Sequence, residues 1–175
     1  MLIRDGRIFL TFLSNALIFF AIYQANDWLT PWQVNLKLDF LYLVFGCLYL
    51  RIRSSLIVAL GSGAFVYAGL PSWTIAVVSF GAVYLLVIYF RDHFHRDNPL
   101  QVLILASVGN LLLFILIGLD ATYGQWGSLL WWQRMLVDLA FSEITLWIVT
   151  LPLIHWQRHC FLYFGINVAA EMQSR

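Results

Sequence analysis

The sequence predicts an all-α membrane protein, a bundle of six transmembrane helices with both termini in the cytoplasm. Three observations predict it. Of 175 residues, 62% are hydrophobic and 11% charged, whereas a soluble domain carries about 25% charged residues to solvate its surface. Six apolar runs approach the roughly 20 residues that cross a hydrocarbon core of about 30 Å. The lysines and arginines fall mostly in alternate connections between those runs. A mean hydropathy of +0.81 agrees that much of the exterior faces lipid, and the length fits one domain spanning residues 1–175.

The first run, Ile8–Gln24, follows Arg4 and Arg7, a basic start that a signal peptide would share. The run is long for such a peptide's apolar region and no small-x-small cleavage site follows, so it reads as a retained helix. The second, Leu36–Leu50, reaches membrane length only with Lys37 and Asp39 at the interface. The third and fourth, Ser54–Leu70 and Ser72–Phe90, meet at Pro71, whose missing N–H suits a tight turn. Leu100–Leu119 and Leu136–Ile154 complete the set, with 155–175 as a cytoplasmic tail. No repeat, linker or soluble domain interrupts the pattern.

Orientation follows from lysine and arginine, which are retained on the cytoplasmic side of short loops. Arg4, Arg7, Arg51, Arg53, Arg91, Arg96, Arg158 and Arg175 occupy one set of connections, and Lys37 and Arg134 the other. The amino terminus is therefore inside, and an even number of crossings returns the carboxyl terminus inside. Trp28, Trp32, Trp73, Tyr123, Trp126, Trp131 and Trp132 cluster at the outer connections, where amphipathic rings prefer the headgroup level. Ala121–Arg134 reads as an interfacial belt on the outer leaflet, with a docking surface for an extracytoplasmic partner as the other reading.

Several function classes are excluded or disfavoured. A net charge of +1 offers no basic face for nucleic acid. No GxSxG, HExxH, phosphate loop or GxGxxG is present, and Gly61-Ser62-Gly63 lacks the surroundings of a nucleophile elbow. Cys47 and Cys160 both fall toward the reducing side and read as free thiols. His155 and His159, at i and i+4, share a helical face beside Cys160, and His93 and His95 lie on the same membrane side. Zinc needs three or four converging ligands, so the expectation is no metal, and no haem or other cofactor.

The remaining polar residues are candidate assembly sites, because ionisable groups in a membrane are costly. Arg134 precedes Asp138 by four residues, which predicts an ion pair on one helical face. Glu143 lies roughly 10 Å further into the helix and needs a buried partner or a proton. A spacing of five points Asp138 and Glu143 in different directions, which suits an acid–base pair poorly. Asn15 and Asn110 fall near mid-membrane and can bond to each other, as packing glue or as part of a solute pocket. Ala59 with Gly63, and Ala64 with Ala68, have the small-xxx-small spacing of close helix packing.

The layout resembles a known family. An arginine-bearing start leads to a first helix and a tryptophan-rich linker. A segment from Asp39 to Arg51 begins acidic, turns apolar and closes on arginine; then come Gly61, Gly63, Gly69 and the Pro71 turn. Across nearly the whole chain this architecture is similar to the rod shape-determining MreD proteins, whose bundle is similar to the substrate-binding subunits of energy-coupling-factor transporters. Two features depart from that pattern: Tyr67, Ala68 and Gly69 stand where the family often has an aspartate, and no proline precedes Asp39. The resemblance implies a non-enzymatic scaffold of the peptidoglycan elongation machinery in the bacterial inner membrane. It would join an MreC-like partner and cell-wall synthases. The alternative is a membrane subunit that binds a small vitamin-type solute. An enzyme has only Asp138 and Glu143 in its favour.

Overall fold

Six α-helices account for the regular structure among the described residues: α1 Gly6–Leu29, α2 Leu41–Tyr49, α3 Ile52–Val66, α4 Trp73–Phe90, α5 Pro99–Ala121 and α6 Leu129–Tyr163. The computed structural model describes residues 6–91, 98–121 and 128–166, and for 119–121 the backbone alone. Four helices (α1 with its short extension, α4, α5 and α6) are long and apolar enough to cross a membrane. The polarity is that of a protein solvated by lipid. Thr11, Ser14, Asn15, Ser62, Asn110, Ser142, Thr150 and Gln157 are buried, while Phe9, Leu17, Phe20, Val78, Leu85 and Ile148 are exposed.

The second apolar run departs most from expectation. It is not one helix over 36–50: the chain has no regular structure from Val34 to Leu38, turns at Asp39–Phe40, and forms only the nine residues of α2. The reason is visible in Val34-Asn-Leu-Lys-Leu-Asp39, which alternates apolar and polar as a strand does. Val34, Leu36 and Leu38 are buried, Asn35 is exposed and Lys37 half-buried. Extended residues rise about 3.3 Å each and helical ones 1.5 Å, so Val34–Leu38 and α2 together cover roughly 30 Å.

Every residue of α2 is buried. It touches each of the other five helices, which close a ring around it in the order α1, α3, α4, α5, α6. Close approach is allowed where a neighbour lacks a side chain. Phe40, wholly buried, seats its ring against Gly109 of α5, and Phe12 of α1 lies against Gly61 of α3. Gly63 faces the Phe80 ring of α4, where an added Cβ would come within 3.0 Å. Ala59 and Gly63 thus lie in the interior, but the second small pair does not act as one: Ala64 is half-buried, and Ala68 lies beyond the end of α3 and is exposed.

Two ends are distinguishable. At the basic end, an Arg91 guanidinium N–H donates to the Leu50 carbonyl (3.2 Å), the Tyr84 hydroxyl donates to that of Ile52 (2.6 Å), and Arg158 lies over the Tyr49 ring. At the opposite end lie the close of α1 at Leu29, a short 3-10 helix Thr30–Trp32, the left-handed Gln33 (φ 57°), the α3–α4 turn through Gly69 (φ 81°), and the start of α6. The expected interfacial belt divides: Leu129–Arg134 forms the first turns of α6, and 122–127 lies outside the described residues. The expected tail also shortens, since α6 continues helically through His155 and Arg158 to Tyr163.

Seating Phe40 on Gly109 has a measurable consequence. Gly109→Ala forces the Phe40 ring to move in a packed interior, which costs about 1–3 kcal/mol. The thermal unfolding midpoint in detergent should fall accordingly, and Phe40→Leu in the same chain should recover part of it. An unchanged midpoint for Gly109→Ala would contradict this packing.

Candidate functional site

The polar residues converge on one stretch of chain, residues 35–42. An extended segment has no internal partners for its N–H and C=O groups, and at membrane depth such backbone is tolerated only when protein or a water-filled cavity satisfies it. Here side chains from three helices do so, and a residue at the end of a fourth holds the Asp39 carboxylate. Asn26 of α1 acts as a two-point clamp: its Nδ2 donates to the Leu36 carbonyl (3.1 Å) and its Oδ1 accepts from the Leu36 N–H (2.7 Å). From α6, Asp138 Oδ1 accepts from the Asn35 N–H and Ser142 Oγ from the Lys37 N–H, both at 2.9 Å. From α5, Asn110 Oδ1 receives the Phe40 N–H at 3.4 Å. The Tyr67 hydroxyl, at the end of α3, donates to Asp39 Oδ2 (2.9 Å).

Asn15 and Asn110 do not bond to each other. Asn15 Nδ2 donates to the Tyr42 carbonyl (2.9 Å) and Ser62 Oγ (2.8 Å), while Asn110 Nδ2 donates to Glu143 Oε1 (3.1 Å). Each binds the central segment from its own side, so the segment itself stands between them. Asp138 is buried and turned to the Asn35 backbone, not to Arg134. Arg134 instead lines a neighbouring cavity of about 420 Å³ with Asp27, Thr30 and Asn35. An i, i+4 pair on an exposed helix would give only a few tenths of a kcal/mol, and a buried backbone N–H without an acceptor costs about 1–3 kcal/mol. The carboxylate goes where the larger cost is avoided. Glu143, half-buried, takes Asn110 as its partner.

Beside the segment is a cavity of about 300 Å³, walled by Tyr23, Asn26, Lys37, Asp39, Tyr42 and Tyr67 among others. The Lys37 ammonium lies 5.1 Å from the centre of the Phe114 ring, within cation–π range. The cavity has room for a small polar solute between Lys37 and Asp39.

Asn26, Ser142, Ser62 and Tyr67 are site residues that the sequence reading missed. Asn26 falls in the polar stretch after Gln24 that looks like the end of the first helix. Ser142 has no local signal beyond its place one turn after Asp138. His155 and His159 face each other with Nε2 atoms 2.9 Å apart. His93 and His95 lie outside the described residues, among which no three His, Cys, Asp or Glu side chains gather. Cys47 is buried, Cys160 is half-buried, and both are free thiols. No family, curated protein or solved structure gives a match to this chain.

The clamp predicts an order of damage. Asn26→Leu removes both partners of Leu36 and should destabilise by about 2–4 kcal/mol. Asn26→Asp keeps the acceptor and should lose less. Asp138→Asn retains an oxygen for the Asn35 N–H and should be mild, whereas Asp138→Leu should rank with Asn26→Leu. Unfolding in detergent measures the order, and equal effects of the Asn and Leu variants at 138 would refute the backbone role.

Proposed function

We propose that the chain is a non-enzymatic scaffold subunit of the bacterial cell-shape and peptidoglycan elongation machinery. It resides in the inner membrane and binds an MreC-like partner together with cell-wall synthases. One observation carries this reading: the interior polar side chains Asn15, Asn26, Asp138 and Ser142 bond to the chain's own backbone. Groups so engaged hold a shape and carry no reaction. The likeness of the layout to the MreD proteins supports the same reading.

In this proposal the chain crosses the membrane six times, with both termini inside. The central segment counts as a crossing because its extended and helical parts together match the roughly 30 Å core. The sorting of the chain's turns to two ends supports alternation. Arg7, Arg51, Arg53, Arg91 and Arg158 share one end, and Arg134 belongs to the other. That bias is the one retained on the cytoplasmic side.

A second reading has its own observation. The cavity of about 300 Å³ beside a non-helical segment is the kind of place where transporters hold solutes, which favours a small-solute binding subunit. Purification in mild detergent separates the two. A stable complex with membrane partners supports the scaffold, and a co-purifying solute lost on Asp39→Asn supports the transporter subunit. Glu143 distinguishes assembly from turnover: Glu143→Leu should weaken partner copurification and Glu143→Gln should weaken it less. An intact complex with lost growth or shape in both variants would sink the assembly role.

Topology is checked in intact cells with the native cysteines replaced. Single cysteines at Gln33 and Ser72 should react with an impermeant thiol reagent, and those at Ile52 and Asn98 should not. Reaction at Ile52 or Asn98 would reverse the orientation.

A further inference from the structure

A second pocket lies at the basic end, far from the clamp. It has a volume of about 290 Å³ and is formed where Tyr49 of α2, Pro99 and Val102 of α5, and Leu151, Ile154, His155 and Arg158 of α6 meet. We propose that this pocket binds an anionic phospholipid by its head, the phosphate held by Arg158 and His155 and the first methylenes of an acyl chain against the partly exposed Leu151. The inference is independent of the scaffold reading and of the orientation.

The wall chemistry selects the ligand. The Arg158 guanidinium stacks 5.7 Å from the centre of the Tyr49 ring, which fixes a long cationic side chain at the mouth of the groove. A planar guanidinium suits the two oxygens of a phosphodiester. Among the described residues no carboxylate lines the pocket, and Arg51, Arg53 and Arg91 belong to the same end. The described acids with placed side chains, Asp27, Asp39, Asp138 and Glu143, belong to the opposite end or the middle. Among the described residues, an anion in the pocket therefore has cations as its nearest charged neighbours.

The same walls argue against a free phosphate ion. Inorganic phosphate needs several converging N–H donors, and the first N–H groups of α5 are already taken, with Leu100 and Gln101 both donating to Asn98 Oδ1 at 3.1 and 3.4 Å. Apart from Arg158 and His155, the lining is apolar or aromatic, which an ion cannot use and a hydrocarbon chain can. Leu100 and Trp156, close by on α5 and α6, are exposed, and a tryptophan at this level suits the headgroup zone. A cation above an apolar groove between two membrane helices is complementary to a charged head on a hydrocarbon tail.

The full chain purified in detergent tests this by native mass spectrometry, with phosphatidylglycerol, phosphatidylcholine of the same acyl composition, and inorganic phosphate as probes. Phosphatidylglycerol should be retained in preference to phosphatidylcholine. Arg158→Gln should weaken it by about fivefold, the effect of one cation at a membrane surface. Arg158→Lys, which keeps the charge but loses the planar two-point contact, should weaken it less than Arg158→Gln, and Arg134→Gln, at the other end, should change nothing. Leu151→Trp, which fills the apolar wall without touching a charge, should also lower retention. This second variant keeps the test decisive if Arg158→Gln fails to fold. Equal retention of the two lipids, no effect of either pocket variant, or displacement of the lipid by millimolar phosphate would each overturn the proposal.

Discussion

The structure depends on satisfying the backbone of a few residues that are neither helical nor paired in a sheet. A buried N–H or C=O without a partner costs several kcal/mol in a lipid-surrounded interior. Residues 35–40 present a row of them. Asn26, Asp138, Ser142 and Asn110 come from three different helices to supply the partners. For all of them to reach one stretch of chain, α1, α5 and α6 must surround it, and this is how the five long helices come to form a ring. The hydrophobic effect contributes little to bringing helices together inside lipid, so polar bonds and tight seats such as Phe40 on Gly109 carry that task.

This arrangement separates what the interior does from what the surface can do. Asn15, Asn26 and Asp138 are here backbone ligands, while Asp39 has the Tyr67 hydroxyl and Glu143 an amide for a partner. The exterior is rich in exposed Phe, Leu, Ile and Trp, as contact with lipid requires. The two ends differ in character. One carries Lys37, Asp39 and several aromatic side chains around an open cavity, the other Arg158 and His155 beside an apolar groove.

Much of the fold was legible in the sequence, because helix-length apolar runs depend on local composition alone. The first, fourth and fifth runs appear as α1, α4 and α5 with ends displaced by a few residues. The second run misled because its mean apolarity outweighed the alternation from Val34 to Asp39, which marks an extended chain. Of the candidate polar residues, Asn15, Asn110 and Asp138 bond to the central segment and not to the partners that spacing suggests. Arg134 and Asp138 are four apart and look paired, yet the Asp138 carboxylate is bonded 103 positions away. Asn15 and Asn110 share a depth but are separated by the segment each one holds. Partners at such separations leave no mark in local spacing. Asn26 and Ser142 therefore stayed hidden, since their role exists only once the ring has closed.

That same separation imposes an order on biogenesis. The N–H groups of Asn35 and Lys37 are made early, but their acceptors Asp138 and Ser142 emerge more than a hundred residues later. At a synthesis rate of about 5–20 residues per second, the wait is roughly 5–20 seconds. During that interval the extended segment has Asn26 on its own side and no α5 or α6 to close over it. It must then remain hydrated at the membrane surface or be shielded by the insertion machinery. The backbone partners of the central segment are thus complete only once α6 is made.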